Sequence, residues 1–178
     1  MALISFVLLL IQSQVVFDVP IKGSLLALLV AIQALRYRQG PVWRYFVYTM
    51  LAVAIWSFSD ALFFIHAAND AERWLWTTVG YSASVMSVPA IFAFALYFAR
   101  LDHWLTPKVQ LLLWTPFLLA VALAITNRWH GLIWDRAISP LQLTGAGGHG
   151  AYFSVMLPVT YGLALAAVVV FLQSLWRL

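Results

Sequence analysis

A chain of 178 residues in which 64% are apolar and only 9% charged cannot be a water-soluble domain, since soluble domains carry about 25% charged residues. Its length accommodates one helical membrane domain spanning 1–178 and no soluble module beside it, so a stand-alone enzyme is not expected. The net charge of +4 is scattered over ten Lys and Arg that form no run interleaved with aromatics, which excludes nucleic acid as a partner, and the absence of cysteine removes disulfides and thiolate-bound metals.

Residues 1–16 are apolar and run almost directly into the first clear span through Asp18-Val19-Pro20. One helix from Ala2 to Leu35 would be ~51 Å long, well beyond the ~30 Å hydrocarbon core. The opening segment is therefore expected to form a short helix of its own, interfacial or spanning. Pro20 suits the first turn of the next helix and Asp18 suits the positive end of its dipole. With no basic leader and no small-residue cleavage site before Asp18, the segment does not read as a secretory signal.

Hydropathy places spans near 20–35, 45–65, 74–99, 109–126 and 152–176, which makes the fold class an all-α polytopic membrane bundle of five clear transmembrane helices plus the short N-terminal one. The turn RYRQGPVWR after the first span holds Arg36, Arg38 and Arg44, and a short basic loop is retained in the cytoplasm. Arg100, Lys108 and Arg177 return to that side, whereas Lys22, Arg73, Arg128 and Arg136 fall on the other. The end of the fifth helix is thereby assigned to the cytoplasm.

Pro89, Pro116 and Pro158 lie inside spans, where each removes one backbone hydrogen bond and kinks its helix. Gly80 with Ser84 and Gly162 with Ala166 are small residues four apart, which would let helices approach closely. Residues 145–150 are rich in glycine and read as a flexible outer loop, since no strand precedes them as a phosphate cradle requires.

Few residues carry chemistry. Asp60 lies inside the second span, where a carboxylate costs at least ~2.5 kcal/mol unless a partner or water compensates it. It is about 24 Å along the helix from Arg44, with Trp56 one turn before it and Phe63 and Phe64 one turn after, so an aromatic-lined acidic spot results. Such a spot suits a ligand, a cation or a proton, and it equally suits a neutral, hydrogen-bonded Asp joining two helices. The loop TNRWHGLIWDR places Asn127, His130 and Trp134 at the outer boundary, where tryptophan is foremost a headgroup anchor; if the loop is helical, His130 and Trp134 share a face. His66 lies near the same surface, while His103 and His149 are expected to be solvated. The candidate ligand-binding set is Asp60, Trp56, His66, Asn127, His130 and Trp134. No HExxH, Ser-His-Asp or paired-carboxylate motif is present, and nothing in the spacing turns His66 and His130 toward one haem. No catalytic residue, metal or cofactor is expected, only contacts with lipid or pigment.

The order of these features resembles the N-terminal seven-helix membrane region of bacterial sensor histidine kinases and related diguanylate cyclases. The basic turn LRYRQGPVWR precedes AVAIWSFSDALFF, RWLWTTVGYSASVMSVPAIFAFALYFAR follows, and LLLWTPFLLAVALAITNRWHGLIW leads into AYFSVMLPVTYGLALAAVVVF. The most specific part is the proline-bearing fourth helix ending in Thr126-Asn127, with His130, Leu132 and Trp134 after it. The resemblance covers residues 17–178 and implies a bacterial plasma-membrane location, an outer-facing N terminus and an extracytoplasmic sensing surface. It departs from the family at Leu178, after what would be helix five, with no phospho-acceptor or ATP-binding domain, so phosphorylation by this chain alone is not expected.

Two functions compete at this level. One is a sensory, receptor-like module that binds a small ligand or signals through a protein partner or a second copy in the membrane. The other is a non-catalytic accessory subunit of a respiratory or photosynthetic complex, packed against neighbouring helices, lipids or pigments.

The assigned topology is testable because the chain has no native cysteine. In intact cells or spheroplasts, an impermeant maleimide should label Asn69→Cys and Gly147→Cys but not Gln39→Cys or Thr106→Cys. The reverse pattern would invert the bundle.

Overall fold

The computed structural model describes residues 2–36, 42–65, 70–135 and 148–176, with side chains from residue 19 onward. The described residues are helical almost throughout: α1 (Ala2–Arg36), α2 (Val42–Ile65), α3 (Asp70–Phe98), a 3-10 turn (Asp102–Trp104), α4 (Pro107–Ile125), α5 (Asn127–His130) and α6 (Ala151–Leu175). Five helices among them are long and apolar enough to cross a membrane. The expected spans therefore hold to within a few residues.

The N-terminal segment is helical as expected, but it is not an element of its own. α1 runs unbroken for 35 residues with Pro20 inside it. A proline removes one backbone hydrogen bond, and the turns on either side of it retain theirs, so helix continues through the position that the sequence offers as a start. The membrane-crossing part is Val19–Arg36.

Consecutive helices pack antiparallel. On α2 and α3 the rings of Tyr45 and Tyr97 stack at 5.2 Å, those of Phe46 and Phe94 meet at 5.3 Å, and Phe58 meets Trp76 edge-on at 6.5 Å. The far end of α3 closes with Arg100 in the left-handed region (φ 58) and Leu101 N–H donating to the Leu96 carbonyl at 2.8 Å. A cation at that position also suits the negative end of the helix. α4 starts at Thr106, whose hydroxyl accepts from Val109 N–H at 3.4 Å, with Pro107 in the first turn.

α3 is the hub of the bundle. Its Val85 and Val88 bury against Phe117 and Ala120 of α4 and Met156 of α6, while Ala93 and Leu96 bury against Leu105 and Leu113. Hydrocarbon tails are as apolar as Leu, so close fit holds such helices together, and small residues permit it. Ala90, Ala93 and Ala95 are accordingly at most 1% exposed. Of the two small-residue pairs, Gly80 does sit at a contact, 3.2 Å from Ser59 Cβ as measured from the position a Cβ would occupy, but Gly162 meets nothing within 4 Å. α2 and α4 flank α3 and leave a groove of about 1370 Å³ between them.

Phe117 is 0% exposed at this centre, whereas Leu111 on the same helix is 71% exposed. Phe117→Ala should lower stability by about 1–3 kcal/mol, because the cavity loss remains even where the transfer from water does not apply. Leu111→Ala should leave the melting temperature in detergent within a degree or two. Equal shifts for the two variants would contradict this packing.

Candidate functional site

The candidate residues fall into two groups. The first is on the seam between α2 and α3. Trp56 and Asp60, one turn apart on α2, converge over Gly80, with Trp56 Cδ1 and Asp60 Oδ1 each 3.7 Å from where a glycine Cβ would stand. The missing side chain makes the room that the carboxylate occupies. Ser59 beside it is 1% exposed, and its hydroxyl donates to the Ile55 carbonyl at 2.7 Å. Asp60 itself receives no hydrogen bond or ion pair from the other described residues. It stands five residues before the end of α2 but level with a residue ten past the start of α3, ~15 Å into the bundle by α3's measure. Trp56 is 44% exposed and forms one wall of this spot.

The second group is the turn that joins α4 to α6. Asn127 is buried, and its amide closes the turn: Oδ1 accepts from Ile133 N–H at 2.8 Å and Trp134 N–H at 3.1 Å, while Nδ2 donates to the Trp134 carbonyl at 2.9 Å. His130 is equally committed. Its Nδ1 accepts from Leu132 N–H at 3.0 Å, so the ring proton lies on Nε2 and points to the Thr126 hydroxyl at 3.0 Å. That hydroxyl in turn donates to the Ala122 carbonyl at 2.8 Å. Both ring nitrogens are thus engaged within the turn, which leaves neither for a haem.

Helix ends at His130 because Gly131 turns left-handed (φ 68). Trp134 therefore does not share a helical face with His130. The chain doubles back, Trp134 pairs with His149 in an isolated antiparallel bridge, and Trp134 buries itself to 4% exposure between Trp74 at 5.7 Å and Tyr81 at 5.2 Å. The headgroup-anchor expectation thus gives way to a packing role. The sequence offered Trp and His near a boundary, but the fold of the turn decided which way they faced.

Gly150 fixes the return. A Cβ there would lie 2.2 Å from the Leu132 carbonyl oxygen, while the Gly150 N–H donates to the Ile133 carbonyl at 2.8 Å. The glycine-rich stretch is thus a docked strap from residue 148 onward rather than a free loop, and its other residues lie outside the described ones. His149 stacks on Phe153 at 4.0 Å instead of being merely solvated. Tyr152, which sequence reading did not single out, donates its hydroxyl to the Pro116 carbonyl at 2.8 Å. A tyrosine opening a helix beside two glycines was the available signal. His66 lies outside the described residues. Among the described residues no cluster of three His, Asp or Glu side chains is placed to hold a metal.

Residues 21–178, which hold nearly all of the five spans and the Asn127 turn, match a known family described as the N-terminal 7TM region of histidine kinase. The chain belongs to that family. Neither a curated protein nor a solved structure matches it. For a histidine-kinase 7TM region, the Asn127 turn supplies a fixed scaffold and the Asp60 seam an unsatisfied acid.

Asn127→Ala would leave two buried N–H groups and one carbonyl without a partner, at ~1–3 kcal/mol each. The variant should lose at least ~3 kcal/mol of stability, read as a melting-temperature drop in detergent. A melt superimposable on wild type would show that the turn holds without its amide.

Proposed function

We propose that this chain is the stimulus-receiving part of a histidine-kinase-type membrane sensor, non-catalytic in itself, with the α2–α3 seam at Asp60 as the place where its two signalling states differ. The family supports the first half of this reading. The second half rests on one observation, the unpartnered Asp60 carboxylate over Gly80. A charged group in a span costs ~2.5–3.5 kcal/mol on insertion scales, and a chain keeps such a cost where function uses it.

Asp60 and Trp56 are the residues that would touch a ligand, a proton or a partner's helix. Asn127, His130 and Trp134 act as positioning residues that hold the α4–α6 end still while the seam responds. Basic residues at one end of the bundle, Arg36, Arg44, Arg100 and Lys108, support placement of that end in the cytoplasm of a bacterial cell, where a partner protein or a second copy would take up the signal.

A spin-label pair at Arg44→Cys on α2 and Leu111→Cys on α4 reports the position of α2 relative to the rest of the bundle. In nanodiscs the pair should give two distance populations, and adding Asp60→Asn should collapse them to one. The same substitution should raise the melting temperature, since it removes the insertion cost without removing a bond. One unchanged distribution in both proteins would sink the role of Asp60, and a lowered melting temperature would make that residue a structural one.

A further inference from the structure

The groove between α2 and α4 floored by α3 is unrelated to the Asp60 seam and has its own chemistry. It extends along α3 from Ala71 to Met86, a length of ~22 Å. Two hydroxyls, Thr78 and Ser82, lie on its floor, but each donates to the carbonyl four residues back, at 2.8 and 2.7 Å. Neither offers a proton to an occupant. The walls of α2 and α4 in the groove are aliphatic and aromatic, and the single charged residue lining it is Arg128, at the end where α3 begins.

Arg128 is exposed and has no ion pair among the described residues. Its position just past the end of α4 at Ile125 puts it at the level where span gives way to interface. The groove therefore presents a long apolar trough capped at one end by a cation, which is the complement of an amphiphile with one anionic end.

We propose that this groove is a binding site for one anionic phospholipid, its acyl chains laid along α3 between α2 and α4 and its headgroup phosphate on the Arg128 guanidinium. Trp74 and Trp134, packed against each other at 5.7 Å, both line the groove and form a rigid wall near the charged end. The headgroup contact supplies selectivity by charge, and the trough supplies retention.

The test is native mass spectrometry of the full chain, released from mild detergent after exposure to equimolar phosphatidylglycerol and phosphatidylcholine of identical chains. Wild type should retain one lipid with a preference of roughly fivefold for phosphatidylglycerol, the size expected for one cation near the surface. Arg128→Gln should abolish that preference, while Lys108→Gln, at the opposite end of the bundle, should keep it. Ser82→Trp, which fills the floor, should lose both lipids while the circular-dichroism spectrum stays helical. Asp60→Asn should bind lipid as wild type does, so failure here and failure of the sensory reading are separable. Retention of the charge preference in Arg128→Gln, or of bound lipid in a folded Ser82→Trp, would overturn the proposal.

Discussion

Hydrocarbon offers no hydrogen bond, so every polar group within the bundle has to be satisfied by the chain itself. Six small hydroxyls of the spans obey this in one way. Thr49, Ser59, Thr78, Ser82 and Thr115 each donate to the carbonyl four residues earlier, and Ser87 to the one three earlier. They are polar by formula and apolar in effect, and two of them, Thr78 and Ser82, leave the groove floor without a free hydroxyl proton. Asp60 has no such local outlet, because a carboxylate has no proton to give when charged and its neighbours' carbonyls accept only.

The same constraint explains the contrast between the two ends of α4. Where the chain leaves α3, a left-handed Arg100 and the Thr106 cap settle the exposed backbone groups within a few residues. Where it leaves α4 for α6, more backbone is turned inward, and Asn127 and His130 are consumed in settling it. Arg73 shows the limit of this economy: its side chain is 8% exposed and held to Asp70 at 3.2 Å, yet its Nε finds no acceptor.

Span positions were legible because twenty apolar residues in a row have one physical meaning. The family was legible too, through the proline-bearing fourth helix and the Thr126-Asn127 that ends it. The roles of the site residues were not. Asn127 and His130 look alike as binding residues or as backbone caps until the path of the following six residues is known, and that path depends on Gly131 turning left-handed and Gly150 lying against Leu132. The continuity of α1 through Pro20 was hidden for a related reason, since a proline permits a helix start without compelling one. The groove left no mark in sequence, because its walls come from three helices and its lining is as apolar as the lipid-facing surface.

The Tyr152 hydroxyl on the Pro116 carbonyl has a mechanical consequence. In a medium without water to exchange for it, that bond couples the first turn of α6 to the middle of α4, with Phe117 and Met156 filling the space between them against α3. α3, α4 and α6 thus form a braced frame. α1 and α2 are attached to that frame through the α2–α3 face, where Gly80 admits the Asp60 carboxylate and the pairs Tyr45–Tyr97, Phe46–Phe94 and Phe58–Trp76 fill the rest of the joint.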